Sequence, residues 1–265
     1  MTGTAHRCDL AAEHGEYYWG DSLALMQSLP DESVDAVICS PPFEGEALIA
    51  DAGRTGEAFV AWLTPFFAEF ERLLRPGGRV AFELGGLWLT DAAGKSVQHA
   101  AALRALAASG WRLLQDFFYF NPQLLRPQPA LGGRAADSVT PIWVVARQYD
   151  GYYDTAALDR EPHRGFVRGN LLEFDNSGEH DQAYEKALAA SGIEPYVDRW
   201  PSAVPALFVE LITPPGGHVL DPFAGSGATC HAAERHGRRW TGCERDRGLE
   251  PHVRAMFSGR TGERR

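Results

Sequence analysis

An acidic residue and a glycine-containing turn follow an apolar strand pattern near the end of the chain. Residues 219–229 read Val-Leu-Asp-Pro-Phe-Ala-Gly-Ser-Gly-Ala-Thr, so Asp221 ends the apolar run and Gly225 and Gly227 lie in the turn. Glycine lets the backbone turn tightly and lets a ligand approach main-chain atoms. Such a turn between a strand and a helix can bind a nucleotide-like ligand, although a Gly-x-Gly turn alone is more often a plain connection.

A second acid, Glu244, ends the next strand pattern, Trp-Thr-Gly-Cys-Glu. An acid at this position can accept hydrogen bonds from ribose hydroxyls. The turn before it has only two glycines, so a pyrophosphate site is less well supported than an adenosyl site. We therefore expect an adenosyl group over residues 221–227.

A third pattern is a buried strand that ends in a serine and two prolines. Residues 34–43 read Val-Asp-Ala-Val-Ile-Cys-Ser-Pro-Pro-Phe. Pro41 and Pro42 fix φ and lack N–H donors, so carbonyls and the Ser40 hydroxyl face the cleft as acceptors. The amino group of an aromatic base is a poor nucleophile because its lone pair is delocalised into the ring. Acceptors that hold both N–H groups favour the pyramidal nitrogen, whose lone pair can then attack a methyl donor.

Phe43 adds an aromatic surface beside these acceptors. A base turned out of a nucleic-acid helix can stack on such a ring. The alternative interpretation is a Pro-Pro turn that ends a strand beside a core phenylalanine, which is plausible for these four residues in isolation.

Short apolar patterns rich in β-branched residues alternate with helical patterns, which is typical of an α/β protein with a mostly parallel sheet. The predicted strands are 17–19, 34–39, 79–83, 112–119, 141–146, 218–220 and 239–243. The predicted helices are 58–74, 96–108, 181–190, 205–212 and 227–235. The Asp221, Glu244 and Ser40 blocks all lie at the carboxyl ends of predicted strands.

Composition restricts the location and the partners of the protein. With 265 residues, of which 45% are hydrophobic, the chain can bury one substantial core. It has no apolar run of membrane-spanning length and no basic-then-apolar leader, so we expect a soluble, cytoplasmic protein. The four cysteines are far apart, which predicts reduced thiols and no metal site. A net charge of −10 argues mildly against a nucleic-acid partner.

The middle of the chain departs from the regular alternation. Residues 44–57 lack an apolar period and predict a loop, and residues 148–198 predict an inserted module. Residues 121–170 contain six arginines against five acids, so any nucleic acid would bind near this part. Arg126, Arg164 and Arg168 are candidates for phosphate or guanine contacts, although each one alone is more often a solvated side chain.

The Ser-Pro-Pro-Phe block at residues 40–43 precedes the Asp-Pro-Phe-Ala-Gly-Ser-Gly-Ala-Thr block at residues 221–229. In this order the two blocks resemble the β-class amino-methyltransferases of DNA, in which the target-recognition region lies between them. The resemblance covers most of the chain. It implies an α/β, Rossmann-like methyltransferase fold with a circularly permuted motif order, and S-adenosylmethionine as the cofactor.

Further segments are similar to the same class. Gly20-Asp21-Ser22 resembles its Gly-Asp step, which implies that Asp21 lies near the cofactor adenine. Residues 200–205 resemble the segment over the methionine, although Trp200 and Val204 replace the usual histidine and phenylalanine. Arg134, in an Arg-Ala-Ala-Asp run, resembles N4-cytosine members.

Residue chemistry and resemblance together predict three sets of site residues. The catalytic residues are Ser40, Pro41, Pro42 and Phe43. The cofactor contacts are Asp21, Cys39, Ser40, Pro201, Asp221, Pro222, Phe223, Ala224, Gly225, Ser226, Gly227 and Glu244. The DNA contacts are Arg126, Arg134, Arg164 and Arg168.

The resemblance implies methylation of cytosine N4 in double-stranded DNA, because cytosine members usually have serine at the position of Ser40 and adenine-N6 members usually have aspartate. The alternatives are an adenine-N6 enzyme, a non-catalytic nucleic-acid-binding partner with the same fold, and an enzyme that methylates RNA or a protein glutamine. The expected organisation is a catalytic half (1–147), a target-recognition insert (148–198) and a cofactor half (199–265). A cognate restriction enzyme and association with the nucleoid are also expected.

Overall fold

The computed structural model describes residues 8–43, 55–86, 88–89, 94–122, 138–196 and 198–258. Within these residues the strands are β1 (Cys8–Ala11), β2 (Gly15–Trp19), β3 (Val34–Cys39), β4 (Leu74–Glu83), β5 (Trp88–Leu89), β6 (Gly94–Lys95), β7 (Arg112–Phe120), β8 (Thr140–Ala146), β9 (Val167–Arg168), β10 (Leu171–Glu173), β11 (His218–Asp221) and β12 (Arg239–Glu244). The α-helices are α1 (Ser22–Ser28), α2 (Glu57–Leu73), α3 (Gln98–Ala108), α4 (Glu179–Ala189), α5 (Ala203–Ile212), α6 (Ala228–Arg235) and α7 (Glu250–Phe257), with 3-10 turns at Thr155–Asp159 and Arg247–Leu249.

Every predicted strand and helix is present in the structure. The largest shift of an end is at β4, which begins at Leu74 and not at residue 79. Leu74 pairs with Val34 before an irregularity in the register, so the Arg-Pro-Gly-Gly sequence lies inside the strand. The predicted loop at 44–57 falls mostly outside the described residues, and its last residue, Glu57, already begins α2.

One large sheet forms the centre of the fold, with the strand order β1-β2-β12-β11-β3-β4-β8-β7-β10-β9. The five neighbours β2, β12, β11, β3 and β4 are parallel, so their carboxyl ends share one edge. β8 is antiparallel to β4 and β7, whereas β10 is parallel to β7. Because β11 and β12 insert between β2 and β3, both ends of the chain build the centre of the sheet.

Helices cover both faces of this sheet. Ala36 and Ile38 of β3 pack in one apolar cluster, which includes most of α5, and Val37 and Cys39 pack in the other, which includes the buried side of α2. Successive side chains of a strand point to opposite faces, so a central strand covered on both faces reads as a continuous apolar run. None of the described helices has the length and apolar character needed to cross a membrane.

Residues 148–198 pack onto the edge of the same sheet. β10 pairs with β7, and β9 pairs with β10. The Tyr184 hydroxyl of α4 lies 2.8 Å from Nδ1 of His252 in α7. Arg79 of β4 donates a hydrogen bond to the carbonyl of Tyr152, at 2.8 Å. The segment is thus attached to the main domain, and its boundaries as a recognition module stay a prediction.

Candidate active site

A cavity of about 380 Å³ lies at the carboxyl edge of the parallel strands. Cavities at this edge are the usual ligand sites of open α/β sheets, and 300–1,000 Å³ is the usual range for small-molecule sites. The cavity brings together most of the predicted catalytic and cofactor residues. Those that line it are Asp21, Ser40, Pro41, Pro42, Phe43, Asp221, Pro222, Phe223, Ala224, Gly225, Ser226 and Glu244.

Three predicted cofactor residues lie beside the lining without being part of it. Cys39 is buried and precedes Ser40, Pro201 is buried and follows Trp200, and Gly227 is the N-cap residue before α6. Burial raises the pKa of the Cys39 thiol well above its ordinary value, so this side chain is a neutral core group. These residues can support the cavity wall, and their direct contact with a cofactor stays a prediction.

Two of the predicted DNA-binding arginines, Arg164 and Arg168, do not line this cavity. Arg164 and Arg168 are exposed and belong to the 148–198 segment, where Nη2 of Arg168 lies 3.6 Å from a Glu173 oxygen. Arg126 and Arg134 lie outside the described residues.

The register of β3 and β4 places a carboxylate next to Ser40. Cys39 pairs with Phe82, so the residues that follow them, Ser40 and Glu83, lie side by side at the end of the two strands. The Ser40 hydroxyl donates a hydrogen bond to Oε2 of Glu83 at 2.9 Å. Glu83 is buried, with only 7% of its surface exposed, and lines the cavity. Because Ser40 uses its hydrogen on Glu83, its lone pairs remain as acceptors toward the cavity.

The same carboxylate oxygen accepts a second hydrogen bond from Trp200. The indole Nε1 donates to Oε2 of Glu83 at 2.6 Å, and both groups are buried. Trp200 is the residue that replaces the histidine expected from the family resemblance, and here it fixes the orientation of Glu83. Sequence analysis missed Glu83, since a glutamate that ends a strand carries no signal until the register is known.

The turn after β11 forms a further part of the cavity wall, on the other side of β3 from Glu83. Main-chain N–H groups of this turn hold two carboxylates: Phe223 donates to Asp221, and Gly225 donates to Glu244 at the end of β12, each at 3.0 Å. Oε1 of Glu244 also accepts the N–H of Asp246 at 2.8 Å. A carboxylate offers about four lone-pair sites, so Glu244 retains acceptor capacity toward the cavity.

The glycine at position 225 is required by the backbone of this turn. Gly225 has a φ of +52°, and a Cβ built there would meet nothing closer than 3.7 Å. The left-handed conformation favours glycine, and the open space allows a ligand to approach the main chain. Tyr17 holds this turn in place, because its hydroxyl donates a hydrogen bond to the Gly225 carbonyl at 2.8 Å.

Aromatic side chains form the apolar wall of the cavity. Phe223 packs on Phe66 and Trp62 of α2, with ring centroids 4.9 and 5.9 Å apart. All three rings line the cavity. An adenosyl group needs an apolar surface for its ring and acceptors for its ribose hydroxyls, and this end of the cavity offers both. The residues therefore fit S-adenosylmethionine.

Among the described residues, one group outside the cavity has the residue types of a metal site, namely Glu13, His14 and Glu234. The Glu234 carboxylate accepts the N–H groups of Glu13 and His14, at 3.2 and 3.0 Å, and Nε1 of Trp240 at 2.7 Å. These donors use most of its lone pairs. The cluster is best understood as an anchor between the β1–β2 hairpin and α6.

Burial raises the pKa of Asp221 to about 7, against the hydrogen bonds from Thr229 and Phe223. A carboxyl group with a raised folded-state pKa stabilises the fold at low pH and loses that contribution as pH rises through the folded pKa. Between about pH 5 and about pH 8, we expect the free energy of unfolding to fall by about 2–3 kcal/mol more in the native protein than in Asp221→Asn.

Urea unfolding of both proteins across this range measures the difference. Asp159→Asn is the matched control, because Asp159 is an exposed acid outside the cavity. Equal pH dependence in native protein and Asp221→Asn would contradict the raised pKa.

The chain matches known proteins over most of its length. A family model described as DNA methylase matches residues 34–253. The Type II methyltransferase M.PvuII of Proteus hauseri is 27% identical over 270 residues, which cover 87% of this chain and 80% of that protein.

Two solved structures are similar to the fold described above. The PvuII DNA methyltransferase (cytosine-N4-specific) has a TM-score of 0.81 and 26% identity, with 96% of this chain and 89% of that chain covered. The putative DNA modification methylase TTHA0409 of Thermus thermophilus, complexed with S-adenosyl-L-methionine, has a TM-score of 0.66 and 23% identity, with 94% and 97% covered. The second likeness concerns the fold alone. The predicted α/β fold is confirmed, and the circular permutation stays a prediction.

Proposed function

Because the chain belongs to the DNA methylase family, we propose that it transfers the methyl group of S-adenosylmethionine to the exocyclic N4 of cytosine in DNA. The observation that carries this proposal is the hydrogen bond from Ser40 to Glu83 in the cavity that also contains the Asp221 turn. It puts acceptors for an amino group and contacts for an adenosyl group in one cavity. Ser40 favours cytosine over adenine, because serine at this position resembles the cytosine-N4 members of the family. The similar PvuII enzyme is cytosine-N4-specific.

The chain's own residues hold the amino group and accept its proton. Ser40 Oγ accepts one N–H, because its own hydrogen is donated to Glu83. The carbonyls of the Pro41-Pro42 turn, which has no competing N–H donors, accept the other. Bound S-adenosylmethionine supplies the electrophilic methyl group. As N4 gains positive charge, the Glu83 carboxylate stabilises that charge through Ser40, and the released proton passes to Ser40 Oγ as the Ser40 proton passes to Glu83.

Phe43 provides the face on which the target base stacks. Its ring is partly exposed and lines the cavity beside Ser40. A Cβ at Gly85 would lie 3.1 Å from this ring and 3.0 Å from Thr140, so the missing side chain lets Phe43 pack closely there. A base inside duplex DNA cannot reach this cavity, so the proposal requires base flipping.

Location and a further partner follow from the proposed substrate. An enzyme that modifies chromosomal DNA works in the cytoplasm at the nucleoid. A restriction enzyme that recognises the same sequence is a proposed partner, because methylation of that sequence would protect the host DNA from cleavage.

The arginines of the 148–198 segment are the proposed DNA contacts among the described residues. Replacing Arg164 and Arg168 by alanine is expected to weaken DNA binding and to reduce the slope of log affinity against log salt by up to about 1.8, since each lost phosphate contact removes about 0.9. Cofactor affinity should stay unchanged. Fluorescence anisotropy at several salt concentrations measures the slope.

The matched control replaces Arg104 and Arg254, which are exposed arginines on α3 and α7. A native salt slope in the Arg164 and Arg168 double variant would place the phosphate contacts elsewhere on the protein.

Modification-sensitive sequencing of DNA from a methylation-free host that expresses the chain tests the proposed function. We expect N4-methylcytosine within one short recognition sequence, and a strong reduction when Ser40→Ala is expressed at the same level. Modified adenine, or unmodified DNA with a folded, cofactor-binding protein, would contradict the proposal.

A further inference from the structure

The hydroxyl of Tyr119 is a buried polar group at the catalytic end of the cavity. Tyr119 is 6% exposed, and its side chain lines the same cavity as Ser40 and Glu83. Its hydroxyl makes no hydrogen bond of normal length and angle with the described residues, although the Asn121 side chain lies near it. A buried hydroxyl without a partner is costly, so such a group at a ligand site points to a partner that arrives with the ligand.

The sheet register places Tyr119 on the same face as Glu83. Glu83 pairs with Ile142 of β8, Ile142 pairs with Phe117 of β7, and Tyr119 lies two residues further along β7. Tyr119 itself pairs with Thr140, another lining residue. Two strand spacings across the sheet and two residues along β7 separate Glu83 from Tyr119, which corresponds to roughly 12 Å between their backbones. Their side chains therefore converge across β8 on one part of the cavity.

The electrostatic environment keeps this hydroxyl a donor. Burial raises the pKa of Tyr119 above its ordinary value, against a smaller opposite effect of the Asn121 side chain, and the Glu83 carboxylate raises it further. Glu83 and Ser40 present oxygen acceptors, whereas the phenol presents an O–H. The two sides of the cavity thus differ in hydrogen-bonding character.

The target base presents the complementary pattern. Cytosine carries the N4 amino donor next to N3, which is a ring acceptor, and the amino group is the part held by Ser40 under the proposed function. The negative charge of a nearby carboxylate repels the lone pair of N3 unless a hydrogen-bond donor faces that nitrogen. Building on the proposed function, we propose that the Tyr119 hydroxyl donates a hydrogen bond to N3 of the flipped cytosine and so fixes which edge of the base faces Ser40.

The substitution Tyr119→Phe removes only the oxygen. Because this oxygen makes no hydrogen bond of normal geometry with the described residues, the melting temperature should stay the same or rise, whereas a structural hydroxyl would lower it. Single-turnover methylation of a duplex with the enzyme's own recognition sequence should slow roughly 3- to 10-fold, which is the effect of one neutral hydrogen bond. Affinity for S-adenosylmethionine should not change.

A base analogue shows whether the partner is N3. In 3-deazacytosine a C–H replaces N3, so the proposed hydrogen bond is already absent. The ratio of native to Tyr119→Phe rates should therefore be about 3 to 10 on cytosine DNA and about 1 on the analogue. Equilibrium binding of both duplexes with S-adenosylhomocysteine present gives the same comparison without chemistry. Tyr18→Phe is the control, because the Tyr18 hydroxyl bonds to Glu16 and does not line the cavity.

The outcomes separate this inference from the proposed function. N4-methylcytosine formed at equal rates by native enzyme and Tyr119→Phe would overturn the inference alone. An equal loss on cytosine and on 3-deazacytosine would do the same, since the hydroxyl would then act elsewhere than at N3. Absence of N4-methylcytosine with the native enzyme would overturn both proposals.

Discussion

Replacing Glu83 by glutamine is expected to slow single-turnover methyl transfer about 100-fold, or about 2.7 kcal/mol, because a buried charge that stabilises the transition state is removed. The amide keeps one oxygen that can accept from Ser40 and from Trp200, so the fold should survive. Glu83 lies beside Ser40 at the end of β4, and β3 separates it from the Asp221 turn after β11, so affinity for S-adenosylmethionine should stay within about twofold of the native value. Rapid-quench kinetics and calorimetric titration measure the two quantities.

Two further variants test whether the loss of methyl-transfer rate arises from removing the charge at this position. Glu83→Asp keeps the carboxylate but shortens its reach, so it should restore part of the rate lost in Glu83→Gln. Glu71→Gln is the matched control, because Glu71 is exposed and paired with Arg147 outside the cavity. A native rate in folded Glu83→Gln, with KM alone changed, would show that the carboxylate has no part in methyl transfer.

Replacing Glu244 by glutamine is expected to weaken S-adenosylmethionine binding about 100-fold. Its two carboxylate oxygens accept the N–H groups of Gly225 and Asp246 and, in our account, ribose hydroxyls as well. In glutamine one oxygen becomes an NH₂ donor that faces a backbone donor. Hydrogen bonds to a charged group contribute about 1.5–3 kcal/mol each, so the loss of one ribose hydrogen bond of about 2.7 kcal/mol gives an effect of this size.

Calorimetric titration with the cofactor measures the affinity, and circular dichroism establishes that the variant is folded. Glu250→Gln is the control, because Glu250 pairs with Arg254 on α7 outside the cavity. Unchanged affinity in a folded Glu244→Gln protein would mean that Glu244 only supports the turn.

The sequence predicted the sheet well because its central strands are covered on both faces. The 34–39 pattern is continuously apolar apart from Asp35, and the structure has a strand with the same bounds. Two short strands that form only by pairing with a distant part of the chain were not predicted. β9 and β10 are only two and three residues long, and they exist because β10 pairs with the end of β7.

The candidate site was predicted only in part for the same physical reason. Ser40 and the Asp221 turn carry local patterns, and the structure places them in one cavity. The hydrogen bonds of Glu83 join it to residues 43 and 117 positions away in the chain, so no local pattern could reveal them. Tyr119 likewise reaches the cavity through the register of three strands.

The central claim is that this cavity methylates cytosine N4, and product analysis tests it most directly. Purified protein, in excess over a duplex with its recognition sequence, is incubated with S-adenosylmethionine carrying an isotopically labelled methyl group, and the digested nucleosides are analysed by mass spectrometry. We predict labelled N4-methylcytosine after a single turnover and its near absence with Glu83→Gln over the same time. Labelled N6-methyladenine, or N4-methylcytosine formed equally fast without the Glu83 carboxylate, would contradict the account.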